Sequence, residues 1–143
     1  MGLAPSLMSK VNFEDVQTAI KRHDIIISTL DAANQTCLIL GTVSAMVEET
    51  VLNEHMRKDR GIPIIIYGQN ATDLSVVLKY DQLVALGFYN VHLYAGGLFE
   101  WLLLQDVYGT AADAFPTTLT SKDVVVDLLR YKGKPKLHML MLA

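Results

Sequence analysis

Apolar residues follow two rhythms along this chain. Ile25-Ile26-Ile27 and Ile64-Ile65-Ile66 are unbroken β-branched runs, the pattern of strands covered on both faces. Cys37-Leu38-Ile39-Leu40, ended by Gly41, predicts a further strand, and Val91-His92-Leu93-Tyr94 another. Between these runs the apolar positions recur at helical spacing. Phe13, Val16, Ala19 and Ile20 form one stripe, and Val43, Met46, Val47 and Val51 a second. Val77, Tyr80 and Val84 form a third, and Leu98, Trp101 and Leu102 with Gln105 a fourth.

Punctuation fits these elements. Asn12 followed by Asp15 predicts a capped helix start. Glu48 and Glu49 sit early in the second helical stretch and Arg57, Lys58 and Arg60 late, which suits the helix dipole. Glu54 and Lys58 form an i,i+4 pair on a solvated helix end. Gly61-Ile62-Pro63 stops that helix. Thr72 or Asp73 is expected to cap the third, which Gly87 ends, and the fourth is expected to stop near Gly109. Residues 110–120 read as a loop, and Thr120-Ser121-Lys122-Asp123 resembles a capping box ahead of a helix over 124–129. Residues 132–136 read as a basic turn, and 137–143 as an apolar tail. Alternating strands and helices predict an α/β fold with a mostly parallel sheet and helices on both faces.

Composition narrows the function. The chain has 143 residues, 51% of them hydrophobic, enough for one compact domain. A net charge of -3 gives no pull toward nucleic acid. The single cysteine, Cys37, excludes an internal disulfide and a cysteine-based zinc site, and suits a reducing cytoplasmic setting. His23, His55, His92 and His138 show no metal-ligand spacing, so no metal and no cofactor are expected. No apolar run reaches the ~18 residues that span a bilayer. Met1-Gly2-Leu3-Ala4-Pro5-Ser6 fits a short myristoylation pattern, yet one acyl chain binds membranes only marginally. No stable membrane association is expected, and residues 1–11 are read as a flexible leader.

The chemistry concentrates in Ile64-Ile65-Ile66-Tyr67-Gly68-Gln69-Asn70-Ala71-Thr72-Asp73, where a strand meets a loop before a helix. Leu86-Gly87-Phe88-Tyr89-Asn90-Val91 and Tyr94-Ala95-Gly96-Gly97-Leu98-Phe99-Glu100-Trp101 follow. That order resembles the second half of a rhodanese-like domain. The resemblance covers roughly residues 12–101 and is strongest over 67–101. In that family a strand ends in Tyr-Cys, the loop amides cradle an anion or persulfide, and a basic residue closes the loop. Here the cysteine position holds Gly68 and the basic position holds Asp73. A glycine supplies no nucleophile, and a carboxylate repels an incoming anion. Ile27-Ser28-Thr29-Leu30 stands where the family often carries Asp-x-Arg. Gly41-Thr42-Val43 with Ala45 resembles a reduced form of the family's Gly-His-Ile-Pro-Gly-Ala stretch.

These departures lead to an expectation of a catalytically inactive rhodanese-like domain, residues 12–131, with a tail over 132–143. It would bind an unknown protein partner or play a structural or regulatory part. The site would be the vestigial loop of Gly68, Gln69, Asn70, Ala71, Thr72 and Asp73. Tyr67, Gly96, Gly97, Phe99, Glu100 and Trp101 would form its rim. A homodimer built on the apolar tail is a further expectation. One alternative is sulfur transfer relocated to Cys37, although a buried structural cysteine is the commoner role. Another is a small cation or amide held by Asp73 and Asn70.

Overall fold

The computed structural model describes residues 8–108 and 114–118. Four parallel strands form one sheet: β1 (Lys10–Val11), β2 (Ile25–Ser28), β3 (Ile64–Tyr67) and β4 (Val91–Tyr94), in the order β1-β4-β3-β2. Four helices connect and follow them: α1 (Phe13–Arg22), α2 (Glu48–Lys58), α3 (Ser75–Ala85) and α4 (Gly97–Tyr108). The expected α/β architecture is therefore present, with a parallel sheet covered on both faces.

The isoleucine runs explain the layering. Successive side chains of a strand point to opposite faces. Ile25, Ile27, Ile64, Ile66, Val91 and Leu93 pack toward Leu52 of α2 and Tyr80 and Leu83 of α3. Ile26, Ile65, Tyr67 and Tyr94 pack toward Val16 and Ala19 of α1 and Leu98, Trp101 and Leu102 of α4. Burying an isoleucine contributes roughly 1.5–3 kcal/mol, so neither face of these runs tolerates solvent. α1 begins as expected: Asp15 N–H donates to Asn12 Oδ1 at 3.0 Å, and Asn12 N–H donates to Asp15 Oδ2 at 3.0 Å.

Four expectations need correction. Cys37-Leu38-Ile39-Leu40 is not a strand. Only Ile39 forms a bridge, antiparallel to Thr117, and its amide donates to the Tyr67 hydroxyl at 3.1 Å. The flanking groups bond to a short segment instead: Leu40 N–H to Pro116 O at 3.0 Å, and Thr118 N–H to Leu38 O at 2.8 Å. A short buried apolar run looks alike in a strand and in an irregular segment.

The second helix starts at Glu48, not at Val43. Val43 N–H donates to Ile26 O at 2.8 Å on the edge of β2, and Met46 is 91% exposed. In α3 the inward residues are Tyr80 and Leu83, while Val84 is 45% exposed. The i,i+3 step won over the i,i+4 step there. Finally, the sheet takes in the end of the segment read as a leader: Met8 is buried, and Lys10 and Val11 pair with β4. The expected stop at Gly109, the capping box at Thr120, the helix over 124–129 and the apolar tail lie outside the described residues.

The capping box yields a direct expectation. Asn12→Ala should cost about 1 kcal/mol, read as a lower urea midpoint with an unchanged slope. An unchanged midpoint would mean that packing of Val16 and Ala19 alone fixes α1.

Candidate functional site

β3 ends at Tyr67, and residues 68–74 carry the chain into α3 at the C-terminal end of the sheet. The start of α4 is tied onto this loop. Leu98 N–H donates to Gly68 O at 3.0 Å, and Phe99 N–H donates to Gln69 O at 2.9 Å. Gly97 allows that approach. Its φ is +69°, and a Cβ there would lie 2.7 Å from Gly68 O and 3.0 Å from Asn70 N. The Gly-Gly turn thus positions the loop, and a helix-end amide pair that would otherwise lack intrahelical partners is satisfied.

The loop's own carboxylate occupies its centre. Asp73 Oδ2 accepts from Gln69 N–H at 2.8 Å. Asp73 Oδ1 accepts from Ser75 N–H at 3.0 Å and from the Ser75 hydroxyl at 2.7 Å. Ser75 Oγ also lies 2.6 Å from Thr29 Oγ1, which links the loop to the end of β2. A Cβ built on Gly68 would sit 2.6 Å from Asp73 Oδ2 and 3.0 Å from Val76 Cγ1. The two departures at 68 and 73 are therefore one arrangement. The missing side chain leaves room, and the carboxylate fills it. An anion at the first turn of α3 is also favoured by the helix dipole.

Asn70 is engaged locally. Its Oδ1 accepts from Thr72 N–H at 3.0 Å and from the Thr72 hydroxyl at 2.8 Å. The expected cap is shifted: Leu74 is the N-cap and gives no side-chain bond, while Asp73 reaches past it to the Ser75 amide. This is an Asx-type turn. Ser75 was not anticipated as part of the site. An Asp with a hydroxyl residue two positions later was the available signal.

The rim expectation holds only in part. Tyr67 and Trp101 are core residues, each 0% exposed. The Tyr67 hydroxyl accepts from Ile39 N–H at 3.1 Å and lies 2.8 Å from Thr42 Oγ1. Burial pushes its pKa up to about 12, with the bonds to Thr42 and Ile39 working the other way. Trp101 donates Nε1–H to Pro116 O at 3.1 Å and meets Tyr94 and Phe115 edge-on, at centroid distances of 6.1 and 5.1 Å. Gly97 is buried, whereas Gly96, Phe99 and Glu100 reach the surface in part. A Cβ on Gly96 would overlap Glu100 Oε1, so the carboxylate folds back over the turn. Burial, then the nearby Glu100 carboxylate, holds the Tyr94 phenol above its usual range.

Cys37 is 1% exposed and packs in the same apolar cluster as Tyr67 and Trp101. Burial of this kind keeps a thiol away from substrate. Among the described residues no group of three or more His, Cys, Asp or Glu could hold a metal ion. Among them too, no helix is long and apolar enough to cross a membrane. Beside the loop lies an open groove of about 260 Å³, lined by Ser28, Thr29, Ser75, Glu48, Leu78 and Lys79 among others. Lys79 and Glu48 form a partly buried ion pair across it.

The model of the rhodanese-like domain matches residues 33–104, just over half of the chain. Among solved structures, the Alr3790 protein from Anabaena sp. is 20% identical with a TM-score of 0.55, covering 75% of this chain and 89% of that one. The BH2092 protein from Bacillus halodurans is 20% identical with a TM-score of 0.51, covering 70% and 75%. Thiosulfate sulfurtransferase from Pseudomonas aeruginosa is 20% identical with a TM-score of 0.51, covering 68% of this chain and 19% of that one. At these identities the likeness is one of fold. No curated protein matches the sequence.

The shared space at 68 and 73 is testable by a double-mutant cycle. Gly68→Cys alone should destabilise by about 1–3 kcal/mol through overpacking. Asp73→Ala alone should cost about 1–3 kcal/mol through the amides it leaves unpaired. The double variant should be more stable than the sum of the two by about 1 kcal/mol or more. Additive costs in chemical denaturation would mean that the two positions do not compete for space.

Proposed function

This chain belongs to the rhodanese-like domain family, and we propose that it is a catalytically inactive member serving as a protein-binding or regulatory module. The observation that carries this reading is the Asp73 carboxylate lodged between the Gln69 and Ser75 amides. In a working loop of this kind, backbone amides at a helix start stabilise a thiolate, a persulfide or a bound anion. Here two amides, of Gln69 and Ser75, already face an anion that belongs to the chain.

Three further features support the reading. Gly68 offers no nucleophile. Cys37 is buried. Asp73 replaces the closing cation, so it repels sulfate-like or thiosulfate-like substrates. The small-ligand alternative draws less support, because the acceptor oxygens of Asp73 and Asn70 are already bonded within the loop. A protein partner would meet the exposed tip, Ala71 and Thr72, with Leu74 at 71% exposure beside it and Phe99 and Glu100 across the turn.

Thiosulfate-to-cyanide sulfur transfer tests the inactive state. Neither the protein nor its Cys37→Ser variant should produce thiocyanate above the buffer rate. Turnover that disappears in Cys37→Ser would overturn the proposal and make the buried thiol the reacting group.

A further inference from the structure

At the opposite end of the sheet from the loop, three polar side chains form a connected relay. Ser9 Oγ lies 2.6 Å from His92 Nδ1, and His92 Nε2 lies 2.7 Å from Asn90 Oδ1. Asn90 Nδ2–H donates to Gly61 O at 3.1 Å. That last bond fixes the amide so that its oxygen faces the imidazole. An amide oxygen only accepts, so in the neutral ring Nε2 carries the proton. Nδ1 then presents a lone pair, and the Ser9 hydroxyl donates to it.

The backbone holds this register. Lys10 pairs with Leu93, and Leu93 N–H donates to Ser9 O at 2.8 Å, which places Ser9 beside His92. Ser9 is exposed while His92 and Asn90 are half-buried, so the hydroxyl is reachable and the groups behind it are held.

We propose that Ser9 is an activated nucleophile for acyl transfer from esters, with His92 as its general base and Asn90 as the residue that positions the ring. Ser9 Oγ would attack the ester carbonyl carbon and pass its proton to His92 Nδ1. The new C–O bond forms as the bond to the leaving alkoxide breaks, and the alkoxide takes the proton from Nδ1. Water, deprotonated by the same nitrogen, would then release the acyl group and restore Ser9. A hydroxyl bonded to a base that is itself oriented by a third group is the arrangement that makes serine reactive. The activity is separate from sulfur transfer, and it uses no residue of the 68–73 loop.

An alkyl fluorophosphonate tests this on the full chain, since it mimics the ester. Ser9 Oγ bonds to phosphorus, fluoride leaves, and the proton goes to His92. Peptide mass spectrometry reads the rate at Ser9 against Ser44, an exposed serine whose Oγ accepts from Met46 N–H and meets no histidine among the described residues. General-base assistance is worth about a hundred-fold or more, so Ser9 should label at least about ten-fold faster than Ser44. His92→Gln should bring Ser9 down to the Ser44 rate while Ser44 is unchanged. Asn90→Ala should slow Ser9, and Asn90→Asp, which keeps an oxygen toward Nε2, should recover most of the rate. Labelling of Ser9 less than about ten-fold above Ser44, or labelling that survives His92→Gln, would overturn the proposal.

Discussion

The carboxylate of Asp73 joins three parts of the chain. It takes the amide that opens the loop, the amide and hydroxyl at the start of α3, and, through Ser75, it reaches Thr29 after β2. Hydrogen bonds to a charged acceptor are the stronger kind, and a buried amide left unpaired costs more than the bond is worth. The conformation of the loop therefore depends on that one side chain. Gly68 and Gly97 are the conditions for it: one leaves the space, and the other lets α4 close against the loop carbonyls.

The same arrangement carries the proposed function. A parallel sheet brings its strand ends and helix starts together at one edge, the usual ligand position in such folds. In this chain the Asp73 carboxylate lies at that edge, bonded to the Gln69 and Ser75 amides. Family membership shows the scaffold, and any reaction has to be argued from the site itself. Ala71, Thr72 and Leu74 are exposed beside the carboxylate and form the surface that the proposed partner would meet. At the far edge, Ser9, His92 and Asn90 form a second polar centre that owes nothing to the loop.

Much of the fold was legible because its signals are local. The isoleucine runs are wholly β-branched, which favours a doubly covered strand, and Asn12 with Asp15 favours a helix start. The misread elements are those fixed by distant partners. Leu38 to Leu40 take their bonds from residues 116–118 and from the Tyr67 hydroxyl, far along the chain. Val43 left its helical spacing to bond Ile26 at the sheet edge. In the site, the identities of Gly68 and Asp73 were visible, but their competition for one space was not. Aromatic residues beside a loop read alike whether buried or not: Tyr67 is drawn into the core by Ile39 and Thr42, and Trp101 by Tyr94 and Phe115.

Asp73 holds the Gln69 and Ser75 amides where an external anion would otherwise bind. Nitrogen-detected amide shifts of Gln69 and Ser75, followed during a thiosulfate titration of the native protein, test it most directly. With the Asp73 carboxylate on both amides, their shifts should stay in place at all concentrations beyond the uniform drift caused by salt. A saturable shift confined to Gln69 and Ser75 would contradict it, because it would show an external anion displacing the carboxylate.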